Sequence, residues 1–295
     1  MIILRPLLTI LNLAQIRYLI LAVLIIFALI SLFLIVKKIN IPTAIIFLLG
    51  MFIVDYFYMW QSLQGAPVFL ICMILSLILL SEKLEKYTDI VFLVTGGITA
   101  FFDFLTAPVI TLGVPLIIYV LLEQRKEEKL KTILIHILKL SVLWGIGYAG
   151  VMASKWIIID LVYHKGIMSS AMDQFFYRAN NIQVTPIDAI IHIFQIVKLP
   201  ALISVIVVIF MIAYKIIRNG KKLKFNLTKI IPYIVVGMIG ILWYVVLKSH
   251  SAMHRYFTYR TFFSISICAL LTIYEVLGVE HKKEENTNEL YKGKE

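Results

Sequence analysis

The stretch Tyr18-Leu-Ile-Leu-Ala-Val-Leu-Ile-Ile-Phe-Ala-Leu-Ile-Ser-Leu-Phe-Leu-Ile-Val36 decides the fold. Arg17 precedes this uncharged run and Lys37-Lys38 follow it. A helix needs roughly 20 apolar residues to cross the hydrocarbon core of a bilayer, so the run predicts a transmembrane helix with basic residues at both ends.

The whole chain shares this character. It has 295 residues, of which 61% are hydrophobic and only 15% are charged, and its net charge is +11. An ordinary soluble domain has roughly 25% charged residues. This composition excludes a soluble globular enzyme, a disordered protein and a secreted disulfide scaffold. Cys72 and Cys268 lie inside apolar runs and are interpreted as small buried hydrophobic residues rather than a disulfide pair.

Further apolar runs predict an all-α, polytopic transmembrane helical bundle with about nine spans in one domain, residues 1–279. The continuous runs argue against a membrane β-barrel, whose strands alternate. A charged cytoplasmic tail is expected at 280–295. The other predicted spans are Ile41–Trp60, Pro67–Ser81, Ile90–Phe102, Ala107–Leu122, Thr132–Ala153, Leu199–Tyr214, Ile230–Leu247 and Thr261–Val279.

The apolar stretch Asp89–Leu122 is too long for one span and short for two. Pro108 disfavours helical geometry at Ala107, which predicts a helical hairpin with Asp103 at its tip. With nine spans, 18 of the 28 Lys and Arg residues fall on one side and 9 on the other, with Lys139 inside a span. The positive-inside rule then places the N-terminus outside, the C-terminus inside and a long segment, residues 154–198, on the outer face.

The residues before the first span do not form a signal peptide, and Pro6–Leu13 is too short to cross a membrane. We therefore expect a preceding span and outer loop, supplied either by sequence upstream of Met1 or by a separate partner. The alternative is a short N-terminal tail that the first helix translocates.

The segment Lys248–Arg260 gathers three cations, two histidines and two tyrosines on the predicted outer face. Arg255 and Arg260 suit a phosphate, because a planar guanidinium donates two parallel hydrogen bonds. Tyr259 could stack on a sugar. The alternative is simple anchoring, because arginine and tyrosine are common at headgroup level.

His250 and His254 have a spacing that can hold a metal ion, but no third ligand accompanies them at motif spacing. No metal is therefore predicted, and both are assigned to ligand binding. Lys155 and Arg178 add to the outer positive charge. The apolar stretch Trp156–Tyr163 is expected to lie at the membrane interface.

Asp103 sits between phenylalanines, where a carboxylate is costly unless it is paired or solvated. It could form an ion pair with Arg255 or Arg260, or it could act as a base or orient a ligand hydroxyl. The same two interpretations apply to Asp55, for which the structural one is favoured.

Three stretches, Gly96–Pro115, Gly147–Trp156 and Ser249–Arg260, resemble bacterial polytopic membrane proteins related to the GT-C glycosyltransferase superfamily. The resemblance implies a membrane core that binds a polyprenyl-phosphate-linked sugar and transfers the sugar at the outer face, in cell-envelope glycan assembly. In that superfamily the catalytic acidic residue usually lies in the first outer loop, the part this chain is expected to lack. The catalytic residue therefore stays unknown, with Asp103 as the candidate.

Two other functions stay open: a transporter or flippase for a lipid-linked envelope component, and a non-catalytic membrane subunit or fragment. The sequence has no Walker loop, GxGxxG, HExxH, CxxC or GxSxG motif, so no cofactor is predicted. Membrane lipids and a polyprenyl-phosphate sugar are the expected partners, nucleic acid is not, and the cell membrane is the expected location.

Overall fold

A computed structural model describes residues 4–103, 105–164, 166–180, 184–219 and 227–276. In these ranges every regular element is helical, which confirms the all-α prediction. The α-helices are α1 (Leu4–Leu8), α2 (Leu13–Lys38), α3 (Ile41–Ile53), α4 (Ala66–Ser81), α5 (Thr88–Phe102), α6 (Ile110–Arg125), α7 (Leu130–Tyr163), α8 (Ile167–Asn180), α9 (Pro186–Asn219), α10 (Leu227–Val246), α11 (Lys248–Met253), α12 (Arg255–Thr258) and α13 (Phe262–Val276). Short 3-10 helices cover Tyr56–Gln61, Glu85–Tyr87 and Tyr259–Thr261. The predicted tail at 280–295 and the basic residues at 221–224 lie outside the described ranges.

The loops meet at two ends of the bundle. At the first, called the Glu82 end, the Glu82 carboxylate binds the Lys38 amine at 2.6 Å and the Arg125 guanidinium at 2.9 and 3.1 Å. The Gln124 side chain there donates to the carbonyl of Lys229 at 3.0 Å. These contacts join the end of α2, the loop after α4, the end of α6 and the start of α10.

The opposite end, called the Asp103 end, carries Asp55, Asp103 and the turn from Lys248 to Arg260. The start of α2 belongs to it, because the rings of Tyr18 and Trp60 stack 5.7 Å apart. From these contacts, and from the Lys155–Ala100 contact of α7 and the Lys215–Tyr274 contact of α9, nine helices run alternately between the two ends: α2, α3, α4, α5, α6, α7, α9, α10 and α13.

Five segments are long and apolar enough to cross a membrane: Leu13–Lys38, Leu130–Tyr163, Pro186–Arg218, Leu227–Val246 and Arg255–Val276. Large apolar side chains cover their outward surfaces, as in Phe33 (64% exposed), Leu138 (66%) and Phe210 (70%). A surface of this kind is stable against lipid and unstable against water. The chain is therefore a multi-pass membrane protein.

Helix α6 fills the centre of the bundle, with nearly every residue from Ile110 to Glu123 buried. It packs chiefly against α4, α10 and α13. The Thr111 hydroxyl lies 2.8 Å from that of Thr99 and accepts the Trp144 indole N–H at 3.1 Å, which links α5, α6 and α7. Such hydrogen bonds satisfy hydroxyls that cannot reach water in the interior.

The long apolar stretch does divide into two helices, as the sequence predicts. Helix α5 ends at Phe102, and α6 begins only at Ile110. Between them Asp103 accepts the backbone N–H groups of Thr106 and Ala107, both at 2.8 Å. The carboxylate thus takes the place of the carbonyls that a continuous helix would have offered to these N–H groups.

Helices α5 and α7 approach each other backbone to backbone. A Cβ atom on Gly96 would lie 2.0 Å from the carbonyl oxygen of Trp144, and one on Gly147 would lie 1.9 Å from that of Leu93. Small residues allow this approach in membrane bundles. The Lys139–Asp89 ion pair joins the same two helices nearer the Glu82 end.

Three segments differ from the sequence interpretation. Helix α9 begins at Pro186 rather than at Leu199, so it includes residues 186–198 of the predicted outer segment. Helix α3 ends at Ile53 rather than at Trp60, because Asp55 has a left-handed backbone (φ 53°) and a 3-10 helix follows it. Helix α7 continues through Trp156–Tyr163, which is therefore not a separate interfacial helix. No glycine or proline interrupts Val151–Trp156, so nothing there ends the helix.

Candidate functional site

Arg260 is the most unusual charged residue of the Asp103 end. It lies in the 3-10 turn before α13 and is only 7% exposed. Its guanidinium donates to the carbonyl of Phe257 at 3.3 Å and lies against the rings of Phe257 (5.7 Å) and Tyr259 (5.4 Å). Its Nε is buried and has no hydrogen-bond partner among the residues that the structure describes. A buried guanidinium with an unmet N–H is suited to bind an anion.

Tyr259 connects this arginine to Asp55. The Tyr259 hydroxyl donates to Asp55 Oδ2 at 3.0 Å, and Asp55 itself is exposed. The left-handed backbone of Asp55 turns the chain after α3. The charges of Asp55 and Asp103 both stabilise the Arg260 cation through space. The sequence named Asp55 without anticipating its tyrosine partner, because 204 residues separate the two.

Asp103 is 2% exposed. Burial raises the pKa of its carboxyl, and the N–H groups of Ala107 and Thr106 oppose that rise. The expected ion pair of Asp103 with Arg255 or Arg260 is wrong, because among the described residues Asp103 bonds to backbone N–H groups instead. Its effect on Arg260 is electrostatic.

Two hydrogen bonds from the protein interior hold the turn that carries Arg260. The Tyr244 hydroxyl of α10 donates to the carbonyl of Thr258 at 2.7 Å, and the Thr258 hydroxyl donates to the carbonyl of Ser251 at 3.1 Å. The sequence does not single out Tyr244 or Thr258. Tyr244 is one polar residue in an apolar helix, and Thr258 is one of several hydroxyls in a polar segment. Only packing of α10 against the turn gives each of them a role.

The two histidines form a second polar group with α8. The rings of His250 and His254 are 4.7 Å apart, and the Ser249 hydroxyl donates to the carbonyl of Ala179 at 3.2 Å. Arg178, also on α8, acts electrostatically on His250. The described residues contain no group of three or more metal-ligating side chains.

Arg255 and Lys155 have local contacts of their own. Arg255 donates to the Tyr256 hydroxyl at 3.2 Å and lies over its ring. The Lys155 amine donates to the carbonyl of Ala100 at 3.2 Å, at the end of α5 that leads to Asp103. The structure therefore brings Tyr259 and Arg260 together with two carboxylates, and it leaves the other predicted cations around them.

No protein-family model matches the chain, and no curated protein or solved structure matches it significantly. The function must therefore be argued from the site itself.

We expect the stability of the Asp103 end to fall in mild acid. Burial, reinforced by His254 and Arg178, lowers the pKa of His250 to about 4. An unfolded histidine has a pKa near 6.5, so the unfolded chain binds more protons between roughly pH 6.5 and 4. The stabilisation is present above pH 6.5 and is lost as the pH falls through this window.

The measurement is the thermal unfolding midpoint of the detergent-solubilised protein between pH 7.5 and 4.5. His250→Gln should weaken the dependence of the unfolding midpoint on pH. His192→Gln, at an exposed position on α9, should leave that dependence unchanged. An unaltered slope in His250→Gln would contradict the assignment.

Proposed function

We propose that this chain is a GT-C-like membrane core that transfers a sugar from a polyprenyl-phosphate donor in cell-envelope glycan assembly. The observation that carries the proposal is Arg260, a nearly buried guanidinium beside Tyr259, whose Nε has no hydrogen-bond partner among the described residues and whose charge is stabilised from a distance by Asp55 and Asp103. Such a donor offers an anionic phosphate at the membrane surface, where a preorganised cation can stabilise the charge that develops on it.

The proposal includes a topology. The nine helices that run between the two ends would all be spans of the cell membrane, with the N-terminus outside and the C-terminus inside. The basic residues clustered at the Glu82 end, among them Lys38, Arg125, Lys126 and Lys229, support a cytoplasmic position for that end. The Asp103 end would then face outward.

In the proposed reaction, an acceptor hydroxyl oxygen forms a bond to the anomeric carbon of the sugar. The bond between that carbon and the phosphate oxygen breaks, and polyprenyl phosphate leaves with the electron pair. Arg260 would hold the leaving phosphate. The acceptor proton needs a carboxylate within hydrogen-bond reach.

Asp55 is the more accessible of the two carboxylates. Asp55 is exposed, and only one of its carboxylate oxygens accepts a hydrogen bond, from the Tyr259 hydroxyl. Asp103 is almost completely buried, and both of its oxygens accept hydrogen bonds from backbone N–H groups. We therefore assign proton acceptance to Asp55 and give Asp103, the candidate from the sequence, the role of shaping the turn and stabilising Arg260.

A transport function has less support from the geometry. An alternating-access transporter generally opens a path near the membrane midplane. Here the buried side chains of α6 occupy the centre of the bundle.

The test uses the full chain in proteoliposomes with synthetic polyprenyl-phosphate hexoses. A transferase releases polyprenyl phosphate with time when a mixed glycan acceptor is present, and we expect this release. Movement of the intact donor between leaflets without release of polyprenyl phosphate would replace the proposal with a flippase. A protein that gives neither, but supports release after addition of a membrane fraction from its own cells, would be a non-catalytic subunit.

A further inference from the structure

An apolar groove of about 610 Å³ lies between α3, α9 and α13, on the outside of the bundle. Its walls include Ile53, Phe194, Leu202, Val205, Phe262 and Ile265. The hydroxyl of Ser266, which also lines it, donates within α13 to the carbonyl of Phe262 at 2.6 Å. The groove therefore presents an apolar surface along its length.

One charged residue, Lys198, also lines the groove. Its side chain is exposed, and among the described residues it makes no hydrogen bond or ion pair. It follows Phe194 by one helical turn on α9 and shares the groove with Ile53, two residues before Asp55. An ammonium group beside an apolar wall is most stable with an anion or water at hand. Among the α9 residues that line the groove, Phe194 to Val205, Lys198 lies in the half nearer the Asp103 end.

The length of the groove limits the hydrocarbon chain that fits it. Between Phe262 and Leu270, both lining residues, α13 rises about 12 Å at 1.5 Å per residue. One leaflet contributes about half of a hydrocarbon core that is roughly 30 Å thick. The groove thus matches an acyl chain of a single leaflet, whereas a long polyprenyl chain would extend well beyond it.

We propose that the groove binds an anionic phospholipid, with one acyl chain along α13 and the phosphate paired with Lys198. This site is separate from the proposed anion site at Arg260 and does not depend on the sugar-transfer reaction. The headgroup would lie at the level where α3 ends, near Ile53. The lipid would support the packing of α9 against α3 and α13.

The experiment is native mass spectrometry of the full chain, released from detergent after titration with phosphatidylglycerol or phosphatidylcholine. One favourable charge contact at a membrane surface corresponds to about a fivefold preference for the anionic lipid. Lys198→Gln should abolish that preference. Ala269→Phe, at an exposed groove position, should fill the groove and reduce the retention of both lipids.

Matched controls are available on α7, where Lys131 and Leu138 border another apolar surface patch. Lys131→Gln and Leu138→Phe should leave retention unchanged. If Ala269→Phe lowers the thermal midpoint, Leu202→Gln, at a position 57% exposed, tests the same wall without filling it.

Equal retention of the two lipids by the unaltered protein would overturn the proposal, as would an anionic preference that survives Lys198→Gln. Displacement of phosphatidylglycerol by an equimolar polyprenyl phosphate would overturn the choice of occupant. Loss of sugar transfer with lipid retention intact would count against the proposed reaction alone.

Discussion

Replacing Gly147 with leucine is expected to prevent the folded bundle from forming. The new Cβ would lie 1.9 Å from the carbonyl oxygen of Leu93 and 3.0 Å from the nitrogen of Gly97. These are backbone atoms of a neighbouring helix, so no side-chain rotation relieves the clash and α5 must move away from α7. Overpacking usually destabilises a protein by about 1–3 kcal/mol. Because this clash is with backbone atoms, we expect the loss of stability to be about 3 kcal/mol or more. The readout is the yield of monodisperse protein in detergent and its thermal midpoint.

Gly145 and Gly150 are matched controls on the same helix. A Cβ on either would meet nothing within 4 Å. Gly145→Leu and Gly150→Leu should therefore give normal yield and a midpoint within a few degrees of the unaltered protein. If all three variants behave alike, the close approach of α5 and α7 is not what limits stability.

Replacing Arg260 with methionine should strongly slow sugar transfer while leaving the fold intact. Methionine retains apolar contact with Phe257 and Tyr259 and removes the charge and the unpartnered N–H. Removal of one donor that stabilises developing charge costs about 100- to 1,000-fold in rate. We expect a loss of that size in the release of polyprenyl phosphate, and partial activity in Arg260→Lys, which restores a charge without the planar fork.

The control for Arg260 is Arg218→Met, at an exposed position near the end of α9, with no expected effect on release. Folding is checked by the thermal midpoint of each variant. A folded Arg260→Met protein with undiminished release would refute the role of this arginine in the reaction. Loss of folding in both Arg260→Met and Arg260→Lys would make Arg260 a structural residue.

The sequence predicted the regular elements because transmembrane helices have a strong one-dimensional signal. Apolar length alone located most of the predicted spans within a few residues of the observed helices, and Pro108 located the break between α5 and α6. The error at the end of α3 occurred where a contact distant in sequence outweighs local hydropathy. Trp60 ends an apolar run, yet α3 stops at Ile53, because Asp55 turns the chain and accepts a hydrogen bond from Tyr259.

The candidate site was predicted only in part. The sequence selected Arg260 and Asp103 because cations and carboxylates are rare and costly in apolar segments, and it selected Tyr259 because its ring could stack on a sugar. Their partners could not be predicted from sequence. The sequence suggests an Asp103–arginine ion pair. In the structure the chain bends after α5, and the backbone N–H groups of Thr106 and Ala107 donate to the Asp103 carboxylate instead.

By itself, the sequence determined that this protein is an all-α chain built to lie in a membrane, because burial of apolar runs depends on composition and length alone. Only the tertiary structure decided which polar groups meet, as Tyr259 does with Asp55 and Tyr244 with the turn at Thr258. It also leaves the Arg260 Nε without a hydrogen-bond partner among the described residues. Hydrogen bonds and ion pairs act over a few ångströms and need defined angles, so the packing of helices distant in sequence sets them.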